Sequence, residues 1–123
     1  MTLEKVNLSE KLASFDEPWV PKIVAALNGQ WVKVAKFEGD YVWHAHATED
    51  ELFLVLRGRV AIQLRDGEIV LGPGELCVVP RGVEHRPVAL EPAEVLLFEP
   101  QSTRSTGAVE DERTLEATEL ERI

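Results

Sequence analysis

Short apolar segments, none long enough for a substantial helix, alternate along this chain with Asn28-Gly29, Gly39-Asp40, Asp66-Gly67, Gly72-Pro73-Gly74 and Pro80-Arg81-Gly82. Glycine and proline at such close intervals interrupt any helical ladder. Asn-Gly and Asp-Gly are two-residue hairpin signals, because both positions accept positive φ. Val60, Ile62 and Leu64 interleave with Ala61, Gln63 and Arg65, which is the period of a strand with one buried face. The pattern predicts strands over 23–27, 31–37, 41–47, 52–56, 60–64, 68–71, 76–79, 85–90 and 94–98, hence an all-β sandwich or barrel. A short N-terminal helix is expected where Ser9 can cap Leu12, Ala13 and Phe15, with Pro18 and Pro21 ending it.

At 123 residues the chain suits a single domain, read as residues 1–100, followed by a polar tail over 101–123. That tail is rich in Ser, Thr, Glu and Arg, and is expected to be mobile or docked along a surface without a function. The formal net charge of −9 repels phosphate backbones and anionic lipid, so neither nucleic acid nor membrane is an expected partner. Cys77 is the one cysteine, cannot close an internal bridge, and reads as a small buried hydrophobe. With no signal-type N-terminus and no apolar run approaching the roughly 20 residues of a membrane span, a cytoplasmic setting is expected.

The chemistry concentrates in the three histidines. His44 and His46 are two apart, so on a strand both imidazoles face one side, and His85 follows far along the chain. Imidazole and carboxylate together suit a divalent transition metal, and Glu49, Asp50 and Glu51 are the nearby carboxylate candidates. Trp19, Trp31 and Trp43 read as packing groups, and Arg81 and Arg86 as solvated surface.

The segment from Gly39 through His44, His46 and Glu51 to Gly58 resembles the first motif of the cupin superfamily. Gly74, Pro80, Gly82 and His85 resemble the second, with five, one and two intervening residues. Gly39 lies one residue closer to His44 than is usual there, and Ala89 stands where an asparagine is often found. The resemblance singles out Glu51 by its spacing to Gly58. It implies a double-stranded β-helix, or jelly-roll barrel, in which His44, His46, Glu51 and His85 bind one divalent metal (Mn, Fe, Ni, Co, Cu or Zn) near one mouth.

Strand parity then predicts the lining of the pocket. Val42 should face inward with the histidines, Phe53 and Val55 with Glu51, and Pro87 and Ala89 with His85, while Tyr41, Trp43 and Ala45 face out. No general acid or base is expected inside besides the metal ligands. Three functions fit such a site: a metal-binding cupin that holds a small organic molecule, a dioxygenase-type oxidoreductase acting on a small organic acid or thiol, and a sugar isomerase or epimerase. The last is disfavoured by the absence of a second proton-transfer group. Leu52, Leu54 and Leu56 would point out of the barrel, which predicts a homodimer with residues 18–37 at the interface.

Overall fold

The computed structural model describes residues 3–123. Asn7 rather than Ser9 caps α1 (Leu8–Ala13), its side-chain oxygen accepting from the Glu10 amide at 3.0 Å. Ser9 falls within the first turn, where its hydroxyl is two positions too late to cap. β1 (Lys22–Leu27) and β2 (Gln30–Asp40) form a hairpin across Asn28-Gly29, whose φ angles of 49° and 76° are the positive pair that a tight hairpin requires. β3 (Glu51–Leu64) and β4 (Gly67–Leu71) form a second hairpin with Leu64 paired to Gly67, so the turn lies at Arg65-Asp66, one residue before the expected Asp66-Gly67.

β5 (Leu76–Val79) and β6 (Arg86–Pro100) complete one antiparallel sheet of order β1-β2-β6-β3-β4, with β5 on the other half of β3. β3 and β6 each run through what the turn residues suggested were two strands. Their pairing shifts register between Val55 and Val60, opposite Glu91 and Glu94, so both strands bend together and the sheet turns a corner without ending. Gly58 makes this bend possible: its φ is 86°, and a Cβ there would run into the Pro92 carbonyl. Gly39-Asp40 is likewise a register shift within β2, not a turn, with Gly39 at φ 69°.

The inward faces meet in a core of Phe37, Phe53, Val55, Val60, Ile62, Val95 and Leu97. Each of the fully buried valines contributes on the order of 2 kcal/mol by leaving water. Trp19 stacks on Phe37 and Tyr41 at centroid distances of 4.3 and 4.6 Å, its indole N–H donating to the Glu38 carbonyl at 2.9 Å. On the opposite face Leu52, Leu54 and Leu56 are half-buried, while Leu76 and Val78, paired with Leu54 and Leu52, remain exposed. Among the described residues no helix is long and apolar enough to cross a membrane.

Candidate metal centre

After the Gly39 bulge the chain leaves the sheet, so residues 41–47 are not the strand that alternation suggested. They form one isolated β-bridge, at His44, whose amide donates to the His85 carbonyl at 3.0 Å and whose carbonyl accepts from the His85 amide at 2.9 Å. This bridge joins the two histidine-bearing segments. Glu51 opens β3, paired with Val79, and is thereby fixed beside them.

His44, His46, Glu51 and His85 are all buried, and one donor atom from each lies within 4.8 Å of the others. The Nδ1 atoms of His44 and His85 contact the Val42 and Val83 carbonyls at 2.8 and 3.0 Å. Those carbonyls can only accept, so each Nδ1 carries the proton and each Nε2 is left as a lone-pair donor. Nε2 of His46 and of His85 stand 3.5 and 3.4 Å from Glu51 Oε1, and all three atoms are buried without a well-aligned hydrogen-bond partner. Orphaned buried polar atoms are costly, and several aimed at one point are what a bound cation would satisfy. The cluster could therefore hold a metal ion. Burial pushes the His44 imidazolium down to about 4, with His85 adding to the effect, so this ring is a neutral donor over most of the pH range.

Glu49 and Asp50 are placed elsewhere. Glu49 accepts from the Ser102 hydroxyl at 2.7 Å, and Asp50 is paired with the Arg81 guanidinium at the surface. Beside the cluster lies a cavity of about 40 Å³ that reaches His44 and Glu51. Phe53 and Pro87 border it, whereas Val55 is fully buried one layer deeper in the core, and Val42 and Ala89 are half-buried against that core.

Among the cavity residues that were not anticipated, three can carry a proton. Tyr41 is buried and lines the cavity instead of facing out, because parity counting fails once the chain leaves the strand. Lys33 and Glu99 form a buried ion pair at 2.6 Å on its wall. Both charges share the inward parity of the apolar residues around them, Lys33 with Ala35 and Phe37, Glu99 with Val95 and Leu97, which was the available signal. The expectation of an interior without proton-carrying groups is thus corrected. Burial pushes the Glu99 carboxyl well above its ordinary value, and the adjacent Glu51 carboxylate reinforces this. Glu51 is held well below: burial opposes its ionisation, but the polar Glu99, His46 and His85 side chains close around it outweigh that. Buried side by side, the two carboxyls oppose each other's ionisation, and Lys33 is the cation paired with Glu99.

Tyr41 is the chain's one tyrosine. Burial pushes its phenol up to about 12 although a hydrogen bond with Ser105 pulls the other way. Ultraviolet titration of the folded protein should show phenolate forming near 12, against about 10 after denaturation. Since the folded value is the higher, this group's contribution to stability is present below 10 and lost as pH rises towards 12. A folded-state transition at 10 would place the phenol in water.

Residues 27–99 match the cupin domain family. This chain is a cupin. It is 36% identical over 81 residues to the uncharacterized protein YdbB of Bacillus subtilis (strain 168), a match spanning 65% of the chain and 66% of that relative. It is also similar to the crystal structure of a cupin-2 domain containing protein from Shewanella frigidimarina NCIMB 400, at 41% identity and a TM-score of 0.76, covering 77% of this cupin and 93% of the other. Protein NMB1881 from Neisseria meningitidis is similar at 34% identity and a TM-score of 0.72, covering 79% and 99% respectively. These likenesses agree with the jelly-roll architecture.

Proposed function

We propose that this cupin binds one divalent transition metal through His44, His46, Glu51 and His85 and holds a small organic molecule beside it. The supporting observation is the convergence of buried donor atoms that have no other partners. Three neutral imidazoles and one carboxylate leave about two positions of an octahedral shell for water or ligand. When bound, the metal supplies Lewis-acid polarisation of an attached oxygen and, for a redox-active ion, an electron-transfer centre. The chain's own residues do the rest. Trp19, Phe37 and Phe53 keep bulk water from the cavity, Tyr41 holds a proton on its wall, and the Lys33–Glu99 pair presents a fixed dipole.

Elemental analysis of protein purified without added metal, with calorimetric titration of the stripped protein, tests this reading. About one equivalent of metal per chain is expected; a folded protein that neither retains nor takes up any such ion would overturn it. A second reading, a dioxygen-dependent oxidoreductase on a small organic acid or thiol, is favoured by a mostly apolar cavity with room for little else, and oxygen uptake by the loaded protein separates it from a binder without turnover. The groups on the cavity wall remove the earlier objection to isomerase chemistry but select no sugar. A cytoplasmic location goes with a lone, half-buried Cys77 that has no bridging partner.

A homodimer is also part of this reading. Leu76 and Val78 are exposed at 54% and 52%, in line across the sheet with half-buried Leu52 and Leu54, and a second copy of this apolar face would cover them. Leu76→Glu places a charge on that face without touching the core. It should convert a dimer to a monomer in light scattering, and an unchanged mass would remove this interface.

A further inference from the structure

Residues 101–123 lie beyond the 27–99 matched to the cupin domain, yet Thr103, Ser105 and Leu120 border the same cavity as His44 and Glu51. We infer that this C-terminal segment is a built-in closure of the metal cavity, and that it restricts the site to small molecules. What lies inside the cavity rests on the proposed metal reading; the closure itself does not.

A tail merely resting on a surface has no reason to bury hydroxyls, but Thr103 and Thr106 are exposed at 1% and 0%. Both are satisfied, Thr103 donating to the Pro100 carbonyl at the end of β6 at 2.8 Å and Thr106 to the Val109 carbonyl within the segment at 2.6 Å. Arg104 binds the segment into one body: its guanidinium donates to the Gly107 carbonyl at 2.6 Å, the Val109 carbonyl at 3.1 Å, Glu110 at 2.5 Å and Glu116 at 2.7 Å. The far end is tied to the barrel, with the Ile23 amide donating to the Glu121 carbonyl at 2.9 Å and the Ile123 amide to the Ile23 carbonyl at 3.0 Å.

Between these anchors Gly107 passes directly over Ala45, the residue separating His44 from His46. Its φ is 59°, and any Cβ would strike the Ala45 carbonyl, so the approach needs glycine on both counts. The cavity left beneath the segment, about 40 Å³, takes about three water-sized groups, which suits a molecule of a few heavy atoms better than an aromatic acid.

The chain offers a direct readout, because all three of its histidines belong to the site. Diethyl pyrocarbonate should modify them slowly in the metal-free protein. In Gly107→Val, which pushes the segment off Ala45, and in Arg104→Ala, which removes only bonds within the segment, modification should be faster by about tenfold, since reaction follows the population of the locally open state. Circular dichroism and the urea midpoint confirm that the barrel is intact, and Arg104→Ala serves if the valine variant does not fold. Equal rates in all three proteins overturn the closure. With cobalt(II) bound, the visible spectrum of the native chain should respond to acetate and not to benzoate, while the variants respond to both; equal responses by the native chain remove the size limit. A native chain that takes up no cobalt sinks the metal reading alone, since the histidine reaction is measured without metal.

Discussion

Lys33→Met is expected to destabilise the metal-free protein by about 3–5 kcal/mol, the usual cost of removing one partner from a buried ion pair. Methionine fills a similar volume, so the loss is electrostatic and not a cavity. Lys33 and Glu99 are 2% and 4% exposed, and the Glu51 carboxyl adjoins them in the same enclosed space. With the ammonium gone, negative charge on the two carboxyls has no counterion. The pair can relieve this by taking up a proton, so its folded-state affinity for protons rises above that of the unfolded chain. A raised carboxyl value gives stability that is intact at low pH and lost as pH rises. The deficit in urea unfolding should accordingly be smaller at pH 5 than at pH 8. Lys33→Met with Glu99→Leu removes both partners and should recover most of the loss, as apolar replacement of a whole buried pair is often neutral. A single variant that unfolds at the native midpoint at pH 8 would show that the pair contributes nothing.

That pair illustrates what the sequence made legible and what it did not. Turn residues marked most strand ends, and the resemblance to the cupin motif, through the spacing from Glu51 to Gly58, favoured Glu51 over two neighbouring acids. Strand parity, by contrast, is valid only while the chain stays in a strand. It placed Phe53 and Pro87 at the cavity but misplaced Tyr41, since one positive-φ glycine, Gly39, releases 41–47 from the sheet. Gly58 and the Glu91-Pro92 pair looked like turns because a bend shared by two paired strands uses the same residues as a reversal. The C-terminal segment was least legible of all. Its docking rests on hydroxyls, backbone amides and one arginine rather than on an apolar stripe, so no periodicity announces it.

Glu51→Gln should separate the metal-binding role of this side chain from any structural one, because its two effects have opposite signs. Glutamine keeps the shape and removes the charge that competes with Glu99. In metal-free protein, Glu99 is then free to ionise against Lys33 alone, at 2.6 Å, and stability is expected to equal or exceed that of the native chain. With metal the order reverses. Loss of the one anionic donor from a set otherwise made of three neutral imidazoles should weaken binding by more than about a hundredfold, since even outer-shell partners are commonly worth 10–100-fold. The native protein at about a hundredfold excess of metal over its dissociation constant gains about 2.7 kcal/mol, whereas the variant at the same concentration gains almost none. Thermal unfolding with and without cobalt(II) reads both effects on the same samples. Neither neighbouring acid is positioned to substitute, with Asp50 engaged by Arg81 and Glu49 by Ser102. Native metal affinity in the variant would therefore exclude Glu51 from the coordination shell. An equal loss of stability with and without cobalt would instead make it a structural carboxylate.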